Sequence, residues 1–412
     1  MRVSREWAWF SEIRKTDPNL FLSSGRIFSQ QLRFLMKLML VAGEASGDAH
    51  GRELLKELNI LIPELETFGI GGKGMLEMGL RPYFMLDTMQ SHGITELLFH
   101  LPRLYRTLRL MQEALESEKP DALVLIDYPG FNLKLAAQAK KLGIPVIFFS
   151  SPQIWVWRSG RIKKIKNMVD LMLVLFPFEE RIYQKAGVKV RWVGHPLLDQ
   201  EPSTEEIVKF REQYELDDEQ TVLTLAPGSR PSEIQNHLPV FLQSLAIIKN
   251  EIQDLKVLMP VAETIEIGLI ESMISSSPVK IRLVQNQFPV SVRVSQLAIV
   301  ASGTASLQTG LALTPSIIIY RVSNMTYWIA RKLAKVQHIG MVNILAENEI
   351  VPELLQQDFT PERLAEEAIL LLKDQDRRAT MIGHLKQIRS LLGEPGAYQR
   401  AAEILVDQLK PA

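Results

Sequence analysis

The sequence predicts an α/β protein with two doubly wound, Rossmann-like domains, and three observations lead to this expectation. From Leu38 onward, short apolar runs alternate with amphipathic stretches of helical length, which is typical of parallel strands buried on both faces. The alternation is interrupted at residues 196–204, where two prolines and two acidic residues indicate a linker. It then resumes, and a chain of 412 residues is too long for one ordinary core.

The apolar runs define the expected elements of each domain. In the first domain the predicted strands are 38–42, 122–126, 146–149, 171–175 and 190–193, with amphipathic helices at 51–58 and 133–142. In the second domain they are 222–226, 257–259, 281–284, 298–300, 316–320 and 340–344. We expect domains over 36–198 and 199–360, then a helical tail over 361–412. In such folds ligands bind at the carboxyl ends of the strands, so we expect a site in a cleft that the two domains face.

Composition argues against several classes of function. The chain has 47 Lys and Arg against 47 Asp and Glu, so it lacks the overall positive field of many nucleic-acid-binding proteins. It contains no cysteine, which excludes disulfides, thiolate catalysis and cysteine-ligated metals, and fits a cytoplasmic protein. No apolar run reaches the 18 residues of a membrane-spanning helix, so we expect contact with a membrane at most.

The first 35 residues are interpreted as a poorly ordered extension. They hold six Arg and Lys, three Asp and Glu, and no apolar core of signal-peptide length. Met36 directly precedes the first convincing strand, so one hypothesis makes Met36 the true start of the protein. The alternative is a native targeting or membrane-contact segment.

Two loops of the first domain follow predicted strands and carry unusual residues. In loop 43–48, small residues and a helix N-terminus favour an anion, although a tight turn with Asp48 as N-cap is the alternative. In loop 126–132, Asp127 stands at the tip of a buried strand, where a carboxylate is costly unless something uses it. Asp127 is therefore either a general base for an incoming hydroxyl or the cap of the helix that begins near Phe131.

Two loops of the second domain together predict a diphosphate site. Arg230, in loop 226–233, can form a forked contact with phosphate, and Pro231 suits a first helical turn. A lone arginine in a surface loop is usually just solvated. In loop 301–308, however, a strand ends in small residues and passes straight into a helix, which presents free N–H groups to an anion.

The remaining polar motifs predict no metal site. The seven histidines show neither an HExxH motif nor close ligand spacing, and His195 is interpreted as a hinge residue. The one Asp-x-Asp sequence, at 374–376, is interpreted as solvated surface. Neither a GxSxG motif nor a phosphate-binding GxxxxGK[ST] motif occurs.

Two segments have the composition of membrane-contact surfaces. Residues 85–110 combine Met, Leu and Phe with Arg103, Arg106 and Arg109, a pattern that also fits an ordinary core-facing helix. A basic patch follows later, which is either a solvated helix face or a surface for a phosphorylated acceptor embedded in a membrane. The basic patch consists of Trp155, Trp157, Arg158, Arg161, Lys163, Lys164 and Lys166.

The order and length of these motifs resemble those of the lipid-A-disaccharide synthases. The resemblance runs from about Met36 to Leu355. Its motifs include VAGEASGD at 41–48, GIGG at 69–72, SPQIWVW at 151–157, FPFE at 176–179, VGHP at 193–196, PGSR at 227–230, ASGTA at 301–305 and VPELL at 351–355.

This resemblance implies a GT-B fold with the acceptor domain first and the UDP-sugar domain second. It implies an inverting hexosyltransferase that needs no metal or other cofactor. The implied reaction transfers 2,3-diacylglucosamine from UDP-2,3-diacylglucosamine to the 6-hydroxyl of 2,3-diacylglucosamine 1-phosphate (lipid X), giving lipid A disaccharide 1-phosphate and UDP. It also implies a peripheral protein on the cytoplasmic face of the inner membrane, and a homodimer.

The resemblance also implies roles for individual residues. Asp127 matches the essential aspartate and would be the base, and Arg230 matches the arginine that contacts the UDP phosphates. Asn343 matches an asparagine of the cleft. The other implied substrate-binding positions are Glu44 and Ser46 near the acceptor, Ser302, Gly303, Thr304 and Ala305 beneath the diphosphate, and Gln308 near the ribose.

Two departures from the family pattern bear on these roles. Gln308 stands where the family commonly has Glu, so nucleotide affinity is expected to change, and Gly130 stands where many members have a second Asp. Two competing hypotheses remain. One is another GT-B enzyme, such as a UDP-sugar epimerase or a peptidoglycan-type N-acetylglucosaminyltransferase. The other is a non-catalytic nucleotide-sugar-binding relative.

Overall fold

The computed structural model describes residues 36–85, 94–152, 162–323, 327 and 337–410. For residues 94–101 it describes the backbone only. The extension at 1–35 and the part of the basic patch from Trp155 to Arg161 lie outside the described residues. Within them, the contacts divide the chain into two compact units. One ends at Ile147 and also includes the segment from Ala402, and the other is Phe148–Ala401. This division does not test the predicted domain boundaries, which stay predictions.

The first sheet has seven strands in the order β3-β2-β1-β4-β5-β6-β7. β1 pairs in parallel with β2 on one side and with β4 on the other, so the strand order reverses between β1 and β4. The strands are β1 (Lys37–Ala42), β2 (Glu66–Gly71), β3 (Arg81–Met85), β4 (Ala122–Ile126), β5 (Val146–Phe149), β6 (Leu171–Val174) and β7 (Val190–Trp192). The α-helices of this part of the chain are α1 (Ala45–Leu61), α2 (Lys73–Glu77), α3 (Ile94–Glu118), α4 (Pro129–Lys141), α5 (Ile162–Met168) and α6 (Pro177–Lys185).

The second sheet has six strands in the order β10-β9-β8-β11-β12-β13. Its order reverses between β8 and β11, which are parallel neighbours. The strands are β8 (Thr221–Ala226), β9 (Leu255–Val261), β10 (Ile281–Gln285), β11 (Leu297–Ala301), β12 (Ser316–Tyr320) and β13 (Glu353–Leu355). The accompanying helices are α7 (Thr204–Gln213), α8 (Pro231–Glu251), α9 (Ile267–Ile274), α10 (Phe288–Arg293), α11 (Thr304–Leu311) and α12 (Met341–Ala346).

The C-terminal region is helical and packs back on the segment that follows β7. It consists of α13 (Pro361–Lys373), α14 (Gln375–Leu391) and α15 (Ala397–Leu409). The predicted linker forms a short 3-10 helix, Pro196–Gln200, in which the Asp199 carboxylate accepts hydrogen bonds from the backbone N–H groups of Gly396 and Ala397. The Arg400 guanidinium donates to the Val193 carbonyl at 2.8 Å. No helix in the described ranges is long and apolar enough to cross a bilayer.

Most predicted strands are confirmed because their apolar runs are buried along their whole length, as in β4 and β11. The prediction of a strand at 340–344 was wrong, since this run begins α12 and the last strand is Glu353–Leu355. Hydrogen bonds to the residues just before position 341 favour a helix start there. The Glu353 carboxylate accepts hydrogen bonds from the N–H groups of Ile339 and Gly340, at 3.0 and 2.9 Å, so it neutralises unpaired donors just before the helix.

Candidate active site

The four loops singled out in the sequence follow the strands at which the two sheets reverse their order. In the first sheet, β1 leads into residues 43–48 and β4 leads into 127–132, with Ala42 and Ile126 in register. In the second sheet, β8 leads into 227–230 and β11 leads into 302–305. Helices leave adjacent strands in opposite directions at such a reversal, which opens a crevice at the carboxyl ends where ligands bind.

Asp127 is held in a turn that no ordinary helix start requires. Both Asp127 and Tyr128 have left-handed backbone angles, with φ of 53° and 45°. The Tyr128 backbone and the Ser46 side chain face this carboxylate. Burial raises the pKa of the Asp127 carboxyl above its usual range, and these two neighbours oppose the rise by favouring the ionised form. A raised carboxyl pKa suits a group that must take up a proton.

Asp127 is not the cap of α4, which was one of the two hypotheses for it. The residue at the N-cap position is Tyr128, and Pro129 occupies the first helical turn. The turn is fixed instead by Asn132, whose buried amide donates to the carbonyls of Asp127 at 2.7 Å and Ile126 at 3.2 Å. Sequence reasoning missed this contact, although Asn132 stands in the same motif.

The two glycine-rich segments of the first sheet are joined by Asp48. The alternative interpretation of loop 43–48, with Asp48 as N-cap, was wrong, because Asp48 lies inside α1 and Glu44 is at the N-cap position. Its carboxylate accepts backbone hydrogen bonds from Gly72 at 2.7 Å, Gly74 at 3.0 Å and Met75 at 3.1 Å. Asp48 therefore caps α2, while Ser46 and Glu44 stay exposed at the start of α1.

Arg230 lies at the N-cap position of α8, in a loop fixed by a residue that sequence reasoning had not singled out. The Glu233 carboxylate accepts hydrogen bonds from the N–H groups of Ser229 at 2.9 Å and Arg230 at 3.3 Å. The Arg230 side chain is 73% exposed, and its ion pair with Glu233 is long at 3.5 Å. The guanidinium can therefore turn to a phosphate at little cost.

The loop after β11 has the form expected of a diphosphate site. Gly303 has φ of 145°, a backbone angle that favours glycine, and a Cβ there would meet nothing within 4 Å in the described structure. Gly303 directly precedes α11, and Thr304 is exposed at its first position. Ser302 donates its hydroxyl to the Ile339 carbonyl at 3.0 Å, which leaves the backbone of Gly303, Thr304 and Ala305 as the face toward solvent.

Asn343 is buried and uses its amide inside the protein. Its nitrogen donates to the Val351 carbonyl and the Glu353 carboxylate, both at 2.8 Å. Its oxygen accepts from the N–H groups of Ile350 at 2.9 Å and Val351 at 3.0 Å. Through these bonds Asn343 links α12 to the segment that leads into β13. A direct contact of Asn343 with a substrate stays a prediction.

Gln308 lies on α11 and donates from its amide nitrogen to the Gln200 side-chain oxygen at 3.1 Å. Gln200 ends the 3-10 helix of the linker, and its contact with Gln308 was not foreseen. At the N-cap of the same helix His195 accepts a hydrogen bond on Nδ1 from the Leu197 N–H at 3.2 Å, and its interpretation as a hinge residue stays a prediction. Asp374, interpreted as solvated surface, caps α14 through the Arg377 N–H at 2.9 Å.

Comparison with known proteins identifies the family of this chain. The model of the lipid-A-disaccharide synthetase family matches residues 38–406. The lipid-A-disaccharide synthase of Myxococcus xanthus is 42% identical over 375 residues, which are 91% of this chain and 98% of that protein. The Coxiella burnetii enzyme of the same name is 38% identical over 368 residues, covering 89% of this chain and 97% of its own.

Solved structures support the fold at much lower identity. The UDP-N-acetylglucosamine 2-epimerase of Neisseria meningitidis, bound to UDP-N-acetylglucosamine, has a TM-score of 0.57 at 12% identity over 91% of this chain and 99% of its own. MurG of Acinetobacter baumannii has a TM-score of 0.56 at 13% identity over 91% and 100%. The two Rossmann-like sheets thus form a GT-B fold, and with the family model matched over 38–406 the chain belongs to the lipid-A-disaccharide synthetase family.

Proposed function

We propose that this protein is a lipid-A-disaccharide synthase, a hexosyltransferase that uses a UDP-sugar donor and a lipid acceptor. The donor is UDP-2,3-diacylglucosamine, the acceptor is 2,3-diacylglucosamine 1-phosphate, and the products are lipid A disaccharide 1-phosphate and UDP. The observation that carries the proposal is the Asp127 turn. A half-buried carboxylate of raised pKa lies at the strand reversal of the first sheet, within the residues that the family model matches.

Asp127 is the proposed general base. Its carboxylate accepts the proton of the acceptor 6-hydroxyl as the hydroxyl oxygen attacks the anomeric carbon of the donor. The new bond forms on the face opposite the departing UDP, so the configuration at that carbon inverts. Ser46, which faces this carboxylate, orients it and favours its ionised form, the form that accepts the proton.

The charge that develops on UDP is met by the loops of the second sheet. The exposed Arg230 guanidinium and the backbone N–H groups at the start of α11 stabilise the leaving diphosphate. In this scheme these donors supply the positive potential that a metal ion gives to other transferases. Among Gly303, Thr304 and Ala305 the contact is through backbone, so side-chain changes there have less effect than changes at Arg230.

The decisive experiment measures disaccharide and UDP formation by the purified protein from the two acylated substrates, in detergent and with excess EDTA. Asp127→Ala is assayed in parallel, and kcat is expected to fall by about 10²–10⁴-fold. Asp199→Ala, which removes a carboxylate that caps α15, is the matched control for loss of a charge and is expected to lower stability more than kcat. UDP binding by calorimetry is expected to be equal in wild type and Asp127→Ala.

Each other outcome points to a different conclusion. Wild-type protein that binds UDP but forms no disaccharide would contradict the proposed reaction and support a non-catalytic nucleotide-sugar-binding relative. Full turnover by Asp127→Ala would remove the proposed base. Activity lost in EDTA and restored by a divalent cation would contradict the metal-free mechanism.

Peripheral attachment to the cytoplasmic face of the inner membrane is proposed together with this reaction. Beyond the buried side of α3, Tyr105 is 71% exposed and stands among Arg103, Arg106 and Arg109, and the lysines at 163, 164 and 166 are exposed on α5. The protein should therefore pellet with anionic vesicles at low salt and be released by about 0.5 M salt, where the Debye length is only a few Å. Failure to bind such vesicles would remove this role from both segments.

A homodimer is the assembly proposed for the protein in solution. Light scattering coupled to gel filtration should give a mass near twice the 46.8 kDa of one chain. A mass of one chain across the micromolar range would contradict the proposed dimer while leaving the reaction unaffected.

A further inference from the structure

A buried histidine stands behind the loop that carries Arg230. His237 lies on α8 with its side chain fully buried. Its Nδ1 is 2.6 Å from the Pro227 carbonyl oxygen, and its Nε2 accepts a hydrogen bond from the Arg321 N–H at 3.0 Å. Because Nε2 accepts, the ring proton must be on Nδ1, which donates to Pro227. Burial lowers the pKa of His237, so the ring is neutral at physiological pH.

This contact orients one peptide group of the loop. In a trans peptide the carbonyl and the following N–H point to opposite sides. A Pro227 carbonyl held by the buried imidazole therefore turns the Gly228 N–H away from the ring. Gly228 has φ of 135°, and a Cβ there would collide with the Glu233 side chain, so the loop reaches this conformation only with glycine.

A second side chain relates the same loop to the same strand end. Glu233, which accepts hydrogen bonds from the N–H groups of Ser229 and Arg230, also faces the Tyr320 hydroxyl, and burial together with the Glu233 charge raises the pKa of that hydroxyl. Tyr320 and Arg321 are consecutive residues at the carboxyl end of β12. The Arg230 loop is thus held from within by the Glu233 carboxylate and from behind by His237, which contacts the residue after β12.

The end of β12 is itself held in place by Arg321. The Arg321 guanidinium donates to the carbonyls of Gln356 and Phe359 and lies 5.0 Å from the centre of the Phe359 ring. The His237 ring packs edge-on against the same phenylalanine at 5.6 Å. A rigid support behind a phosphate loop lowers the cost of ordering that loop when an anion binds.

We propose that His237 is a positioning residue for the nucleotide-sugar: its imidazole holds the Pro227–Gly228 peptide so that the Gly228 N–H and the Arg230 guanidinium meet the diphosphate. This inference rests on the proposed function, since it takes the Arg230 loop to be a diphosphate site. His237 touches neither substrate nor the reacting atoms, and it acts through the backbone that it fixes. The inference adds the Gly228 N–H as a donor to the diphosphate.

Two conservative substitutions separate the two hydrogen bonds of the ring. An asparagine places its amide nitrogen near the position of Nδ1 and keeps the bond to Pro227, whereas a glutamine reaches the position of Nε2 and keeps only the bond from Arg321. UDP affinity measured by calorimetry should fall about tenfold in His237→Gln and less than about threefold in His237→Asn. In the transferase assay the donor KM should rise in His237→Gln while kcat at saturating donor stays within about threefold.

Thr314→Val is the matched control for general loss of stability. The buried Thr314 hydroxyl donates to the Val292 carbonyl at 2.7 Å and precedes β12, at the end opposite Tyr320. This variant should melt at a lower temperature than wild type and bind UDP normally. A His237→Gln protein that melts like Thr314→Val and binds UDP as wild type does would overturn the positioning role.

The wild-type protein supplies a readout that needs no substitution. Nitrogen-15 spectroscopy of the labelled imidazole at pH 7 should show a neutral ring protonated on Nδ1, with and without UDP. A ring protonated on Nε2 would overturn the inference. If wild-type protein does not bind UDP at all, the donor site and this inference fall together, whereas normal wild-type binding with an unaffected Gln variant removes the inference alone.

Discussion

The Ser46 side chain faces the Asp127 carboxylate, so the loops after two adjacent strands meet at one carboxyl group. Ser46 stabilises the ionised form of Asp127, while burial favours the protonated form and dominates. The balance leaves the Asp127 pKa above that of an ordinary aspartate. A base must be deprotonated to act, so the rate should rise with pH as Asp127 ionises.

The Ser46→Ala variant tests this relationship through the pH dependence of kcat. Loss of the hydroxyl removes an interaction that lowers the Asp127 pKa, so the acid limb of the profile should move to higher pH. The plateau above that limb should change less than the limb itself, since the ionised carboxylate remains available there. Ser151→Ala, which removes a buried hydroxyl bonded to Tyr183 at 2.9 Å, is the control and should leave the limb in place. If the acid limb lies at the same pH in Ser46→Ala as in wild type, a group other than Asp127 titrates there.

The Arg230→Lys variant tests whether the guanidinium makes a forked contact. Lysine keeps the positive charge but cannot donate two parallel hydrogen bonds to a phosphate, so UDP should bind about tenfold more weakly. Because the side chain is 73% exposed, the free energy of unfolding should change by less than about 0.5 kcal/mol. Arg363→Lys, at an exposed ion pair with Asp358, is the matched control. Equal UDP affinity for Arg230→Lys and wild type would contradict the contact.

The strands that sequence reasoning found are those whose chemistry is wholly local. β4 reads as five consecutive apolar residues and is buried throughout, which a sequence pattern can show. β2, with the sequence ETFGIG, was missed because its glycines resemble a loop. Gly69 instead lies against the backbone of Leu40 in β1, where any Cβ would collide with the Leu40 carbonyl.

In the candidate site, too, some residues could be predicted from the sequence and others could not. The sequence placed Asp127, Ser46, Arg230 and Ser302 at the ends of strands, and the motifs carried their roles. Several residues that support those loops were not foreseen, because their contacts join distant parts of the chain. Asp48 meets Gly72 across 24 positions, and His237 meets Arg321 across 84. A pattern within one loop carries no information on such partners.

The Asp48→Asn variant tests the hydrogen bonds by which Asp48 of α1 caps the N-terminus of α2. The carboxylate serves three backbone donors, and an amide offers one oxygen and turns its NH₂ group toward the remaining N–H groups. The free energy of unfolding should fall by about 1–3 kcal/mol in urea titrations. Asp218→Asn, at a side chain that is 97% exposed, should stay within about 0.5 kcal/mol of wild type. Similar losses in both variants would show that the three bonds contribute little.

The Gln308→Glu variant tests how this chain tolerates its departure from the family residue. Gln308 donates to the Gln200 oxygen at 3.1 Å, and a glutamate has no proton to donate there at neutral pH. Gln200 can turn its amide by 180° and donate to the new carboxylate, so the pair survives with its direction reversed. UDP affinity should therefore stay within about threefold of wild type. With Gln200→Ala added, the carboxylate loses this donor, and affinity should fall further than Gln200→Ala alone lowers it. Strictly additive effects in this double-mutant cycle would show that the two glutamines act independently, and Gln308 would then meet the ribose without help from the linker.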